Sequence, residues 1–165
     1  SWCKAPRYGG QVVETGALAR QITDGHPLAL AFARAGGSGV LGRVAGRLLE
    51  LARTQLFMED CLARIDPREK FMVRGSIPAQ GQGAGLVEAA RGALGHWLTI
   101  EKGRIARYQI IAPTTWNFSP RDAGGVPGAL EAALVGAEVG EGEATPLTVQ
   151  HIVRSFDPCM VCTVH

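Results

Sequence analysis

The sequence predicts an α+β fold: a long amphipathic helix, a small antiparallel sheet and a C-terminal tail suited to binding metal. Three observations lead there. Val44, Leu48, Leu51, Leu56 and Leu62 recur near a 3.6-residue period between Leu41 and Ala63, with Arg43, Arg47, Glu50, Arg53 and Glu59 opposite them. The apolar run from Leu86 to Ile100 and that from Ile105 to Ile111 flank Glu101-Lys102-Gly103-Arg104, the pattern of two or three antiparallel strands with a glycine-containing hairpin. The last nine residues, Asp157-Pro158-Cys159-Met160-Val161-Cys162-Thr163-Val164-His165, place two thiols and an imidazole close together.

The bulk numbers fit one globular domain. The chain has 165 residues, 46% hydrophobic and 19% charged, neither a disordered nor a membrane composition. No apolar run approaches the roughly 20 residues a bilayer span needs. No signal peptide is visible, and the first residue is Ser, so the natural start is expected upstream. A net charge of +2 with scattered Lys and Arg predicts no nucleic-acid partner. Cys3 and Cys61 lie in unlike contexts, and Cys159 and Cys162 are close enough to share a metal or redox role, which disfavours a disulfide framework and points to a reducing, cytoplasmic setting, with a membrane-associated or exported complex as the alternative.

In chain order, Pro6 and Gly9-Gly10 predict an irregular opening, in which Lys4, Arg7 and Tyr8 on residue type alone read as a solvated loop. A short helix is expected after Gly16. The long helix ends at Asp66-Pro67, and Cys61 inside it reads as a buried core thiol. Residues 75–85 read as a flexible loop; their Gly81-x-Gly83-x-Gly85 spacing lacks the residues and context of a phosphate-binding turn. Arg91, between a small residue and a glycine, is placed to reach into a cleft from a pinched strand. Pro113 ends the strand pairing and puts Thr114, Thr115 and Asn117 on a rigid loop. A short helix is expected from Gly128 to Val135. Thr145-Pro146 reads as a cap and first position of a helix over Leu147–Phe156, which delivers the chain to the tail.

Cys159 and Cys162 can turn both sulfurs toward one metal ion. A dithiol redox pair would normally open a helix, whereas this pair follows one. A closed structural zinc site would want a second such pair, which Cys3 and Cys61 do not supply. Thiolates suit nickel, iron or zinc, so a half-site completed by another segment is the best account.

The tail resembles the C-terminal DPCxxCxxH signature of nickel–iron hydrogenase large subunits. Lys4-Ala-Pro-Arg-Tyr8, Glu88-Ala-Ala-Arg-Gly-Ala-Leu-Gly-His96 and Ala112-Pro-Thr-Thr-Trp-Asn117 resemble segments of the same family in the same order. One departure is Ala90, where the family usually has proline.

The resemblance implies roles. Cys159 would be a terminal nickel thiolate and the acceptor of the proton from H2. Cys162 would bridge nickel and an iron carrying cyanide and carbon monoxide. Arg91 would hang over the open face of the metals, held by Asp157. Pro113 and Thr114 would border a cyanide ligand, the Thr114 hydroxyl donating to it. His165 and the backbone carbonyl of Ile110 would bind magnesium or a similar ion. Such a chain is the C-terminal portion, residues 1–165, of a larger, mainly helical large subunit whose N-terminal part brings the other CxxC. Its expected partners are that N-terminal part and a small subunit carrying iron–sulfur clusters. Alone, it is expected to be inactive.

Within the family, a chain stopping at His165 would be either a processed form or a member of the hydrogen-sensing, regulatory group; Met160-Val161 and Thr163-Val164 resemble the sensing group, with a histidine kinase as a further partner. The alternative is an energy-yielding uptake enzyme in processed form. A remote alternative is a structural zinc module using Cys159, Cys162 and His165.

Overall fold

A computed structural model describes residues 4–160. Among these residues six helices and three strands follow in the order α1 (Ala17–Thr23), α2 (Pro27–Arg34), α3 (Val40–Arg64), β1 (Gln80–Ala89), β2 (Gly92–Glu101), β3 (Arg104–Ile111), α4 (Pro113–Asn117), α5 (Ala129–Leu134) and α6 (Leu147–Ser155). The α+β expectation holds for them. No described helix is long and apolar enough to cross a membrane.

The strands form one antiparallel meander, β1-β2-β3. At the β2–β3 turn Lys102 (φ 53°) and Gly103 (φ 71°) both take left-handed backbone. That is the turn whose twist matches a tight hairpin. At the other end Ala89 pairs with Gly92, so Ala90 and Arg91 form the β1–β2 turn. The loop expected over 75–85 is corrected here: residues 80–85 are strand, in register with Glu101 back to His96. Backbone pairing along a full-length partner outweighs the poor strand preference of alternating Gln and Gly. Residues 113–117 likewise form a helical turn, with Pro113 at its first position and the Ala112 N–H donating to Thr115 Oγ1 at 3.2 Å.

The long helix exists within a residue or so of its expected bounds, but its faces are exchanged. Leu48, Leu51 and Leu62 are 64%, 69% and 69% exposed, while Gly42, Arg43 and Gly46 are buried. The expectation of Cys61 as a buried core thiol fails with them: it is half-buried, beside exposed Met58 and Leu62. What α3 turns inward is its polar stripe. Gly46 lets α1 approach until an added Cβ would lie 2.8 Å from Leu18 Cα. Around that contact Arg20 pairs with Glu50, Arg53 pairs with Asp24 at 2.6 Å and also donates to Gln21, and Gln21 Nε2 donates to Glu50 at 3.3 Å.

One turn earlier the same stripe seizes α6. Arg43 forks onto both oxygens of Glu14 at 2.9 and 2.7 Å, donates to Ser155 Oγ at 3.1 Å and lies 3.7 Å above the Phe156 ring. Arg47 donates to the Ser155 carbonyl at 2.6 Å. A cation on the last carbonyls of a helix satisfies an otherwise unpaired acceptor and opposes the helix dipole. At the other end of α6 the cap is Pro146, not Thr145, and Glu143 Oε1 accepts the Leu147 N–H at 2.9 Å. A carboxylate suits an unpaired N–H there better than the threonine hydroxyl expected from the sequence.

Arg7 is not solvated either. Its guanidinium reaches Asp122 Oδ2 at 3.2 Å, Ser119 Oγ at 3.2 Å and the Val126 carbonyl at 3.2 Å, fixing the loop after α4. Tyr8 is exposed as expected.

Candidate metal centre

Three segments remote in sequence converge beyond the end of α6. Phe156 closes the helix with right-handed backbone, and Asp157 then turns left-handed at φ 51°, its N–H bonded to the Arg154 carbonyl at 3.0 Å. Aspartate tolerates this conformation better than most residues. The turn throws Pro158 and Cys159 off the helix axis toward the start of α4. There Thr114 Oγ1 accepts the Cys159 N–H at 2.9 Å. A hydroxyl that accepts in this way still has its own proton to donate elsewhere. Pro113 beside it is buried, and its ring fixes the helix start on which Thr114 sits.

The third segment is the β1–β2 turn. Arg91 Nε lies 3.4 Å from Asp157 Oδ1. The contact is an ion pair without hydrogen-bond alignment, and Nε itself is buried with no hydrogen-bond partner. Both side chains are part-exposed, so the pair contributes about 0–1 kcal/mol among these residues. It brings the β1–β2 turn against the residue two positions before Cys159.

The turn that carries Arg91 is seated from below. Gly92, at φ 137°, leaves no room for a side chain, since an added Cβ would lie 2.4 Å from Thr15 Oγ1. Thr15 is in turn clamped by buried Asn117, which accepts its N–H and donates to its carbonyl, both at 2.9 Å. A cavity of about 360 Å³ opens at this junction, lined by Glu14, Gly16, Arg43, Arg91, Asn117 and Asp157 among others.

Ile110 is paired with His96 in the sheet, and its carbonyl accepts Lys4 Nζ at 2.7 Å. An ammonium thus takes one lone pair of the oxygen expected to face a divalent ion, and a carbonyl has a second. Cys162 and His165 lie outside the described residues. Among the described residues no cluster of three or more His, Cys, Asp or Glu side chains could hold a metal ion.

The structure therefore brings together Arg91, Asp157, Cys159, Thr114 and Pro113. Sequence reasoning named Asn117 as a hydrogen-bonding group but missed the seating roles of Arg20, Arg43, Arg47 and Glu50. Their one sequence signal was the 43, 47, 50 spacing on α3, a single charged face with too many carboxylate partners available elsewhere.

The chain is similar to known hydrogenases over its whole length. The nickel-dependent hydrogenase family matches residues 1–165. Hydrogenase-1 large chain of Escherichia coli is 36% identical over 189 residues, covering 100% of this chain and 31% of the relative. The uptake hydrogenase large subunit of Rhodobacter capsulatus is 35% identical, with 100% of this chain and 31% of that protein covered. The reduced Ni-Fe-Se hydrogenase of D. vulgaris Hildenborough superposes with a TM-score of 0.88 at 32% identity, over 99% of this chain and 37% of that one. The chain thus spans about a third of the length of the proteins it matches.

Proposed function

Because the chain belongs to the nickel-dependent hydrogenase family, we propose that it forms the C-terminal half of a nickel–iron site that cleaves H2. The observation that supports this most is the convergence of Arg91, Thr114 and Cys159 from three distant segments, tied by the Asp157–Arg91 and Thr114–Cys159 contacts. The remaining two thirds of the large subunit and an iron–sulfur small subunit are the partners this reading requires.

The residues fit such a centre. Cys159 offers a soft sulfur donor and is tied through its backbone N–H to Thr114, whose hydroxyl has a proton left to donate, while the Arg91 guanidinium lies against Asp157, two residues before Cys159. Cys162 would add the bridging thiolate, and His165 with the Ile110 carbonyl would hold magnesium. Bound nickel and iron, the latter with cyanide and carbon monoxide, supply the Lewis acidity that polarises H2.

This chain's residues do the rest. Oxidation of H2 yields two protons and two electrons: the first proton would pass to Sγ of Cys159, and the second would be released to solvent as both electrons leave through the small subunit's clusters. Cys159 serves as base because a thiolate keeps proton affinity while its sulfur stays a ligand. Arg91 would place a positive charge near the reacting face, with Asp157 biasing its direction through their ion pair. Pro113 and Thr114 would border the cyanide, to which the Thr114 hydroxyl would donate.

Within the family the uptake reading now takes precedence over the sensing one. The relatives carry uptake and Hydrogenase-1 names, and nothing in them supports a kinase partner. The test is H2-driven reduction of an artificial acceptor by the intact enzyme. Wild type is expected to turn over, and Cys159→Ser to fall to background; turnover by Cys159→Ser would overturn the assignment.

A further inference from the structure

We propose that Arg20 is a positioning residue for the site, holding the turn from which Arg91 reaches the metals. The inference rests on the role given to Arg91 above. It comes from the use of all five donors of the Arg20 guanidinium. Nε donates to Glu50 Oε1 at 2.6 Å and Nη2 to Glu50 Oε2 at 2.5 Å. Nη1 donates to Glu88 Oε2 at 2.9 Å and to the Ala89 carbonyl at 2.9 Å. Nη2 makes its second bond to the Ala90 carbonyl at 3.0 Å.

One planar fork thus ties α3 to the last residues of β1 and to the turn itself. The Ala90 oxygen belongs to the peptide group that ends on the nitrogen of Arg91. Gripping it sets the plane of that peptide and hence the direction in which the Arg91 side chain leaves the turn. Ala90 has no ring to fix its own φ, so the backbone there depends on an external hold. Thr15 against Gly92 seats the turn on one side, and Arg20 anchors it on the other.

The arrangement is more than a surface ion pair. Arg20 is 17% exposed. The Glu50 hydrogen bonds hold its guanidinium pKa above its ordinary value and the Glu50 carboxyl below its own. Lysine cannot take over the role: a single ammonium can keep the Glu50 pair, but it cannot also span two carbonyls with a rigid fork.

The test compares Arg20→Lys with wild type in the intact, metal-loaded enzyme. It reads kcat and KM for H2, nickel and iron content, and amide hydrogen exchange of residues 88–93. Expected are full metal content, unchanged KM, kcat lowered about tenfold or more, and faster exchange confined to the turn. Wild-type kcat, whether or not the turn exchanges faster, would overturn the proposal. So would a lower kcat with unchanged exchange. Should Arg20→Lys fail to accumulate, Glu88→Gln releases only the hairpin side of the grip; the same changes at about threefold are expected, and wild-type behaviour overturns it. A wild-type enzyme that does not consume H2 would instead sink the proposed function, and the exchange result would then decide whether Arg20 holds the turn.

Discussion

The hydroxyl of Thr114 accepts the backbone N–H of Cys159 at 2.9 Å, joining residues 45 positions apart. The bond leads the chain from the end of α6 back onto the start of α4, and it places a proton donor beside a thiol. Thr114→Val keeps the shape and removes both functions. The stranded N–H costs about 1–3 kcal/mol, and nickel affinity or activity is expected to fall about 10–100-fold. Thr114→Ser should retain most of it. Nickel content and H2 oxidation rate, measured on both variants, check this; equal behaviour of Val and Ser contradicts it.

Arg91→Lys keeps the charge but loses the planar guanidinium whose Nε faces Asp157. Loss of one preorganised donor at a reacting site is worth about 10²–10³ in rate. The intact enzyme carrying Arg91→Lys is therefore expected to hold its full metal content while kcat drops by at least that lower figure. A rate within threefold of wild type would remove Arg91 from the chemistry.

Arg43 anchors α6, and with it the tail, through Glu14, Ser155 and Phe156. Its guanidinium is buried, so removing Glu14 leaves the charge with only the Ser155 hydroxyl and the Phe156 ring. Glu14→Ala is expected to cost about 3–5 kcal/mol, seen as a lower thermal midpoint together with partial loss of nickel. An unchanged midpoint would mean that the pair is dispensable.

How far the sequence revealed this arrangement can be judged from α3. Its length and stop were legible, because periodicity and Asp66-Pro67 are local signals. Which face turns inward was not. An apolar stripe says that something covers it, not that the cover lies within the same 165 residues. With a third of a subunit in hand, Leu48, Leu51 and Leu62 stay open and the charged stripe makes the internal contacts. The β2–β3 hairpin was legible from its turn residues, whereas β1 was not, since Gln-Gly alternation carries no strand signal until β2 pairs with it. Arg91, Thr114 and Cys159 were legible as a group through family resemblance. The Arg20 grip was invisible, because it depends on two backbone carbonyls that no residue type announces.

The open face of α3 has a consequence for the chain expressed alone. Each exposed leucine forgoes about 1.5–3 kcal/mol of burial, so the isolated chain is expected to self-associate. Size-exclusion chromatography should show oligomers that Leu48→Gln with Leu51→Gln reduces. A monomeric wild-type chain would contradict this.

Glu50 gives the pH dependence. Arg20 holds its carboxyl below the usual 4.5, so the unfolded chain binds the proton more readily. The stabilisation is complete above about that value and is lost as pH falls through the lower folded one. Stability of the intact protein should therefore decline below pH 4.5 more steeply in wild type than in Glu50→Gln. Identical acid profiles would contradict the coupling.

The most direct test of the central claim is an infrared spectrum of the intact enzyme with metal analysis on the same sample, for wild type and Cys159→Ser. The account predicts metal-bound cyanide and carbon monoxide bands with nickel and iron in wild type, and loss of nickel in Cys159→Ser. Stoichiometric zinc, with no nickel and no such bands, would contradict it.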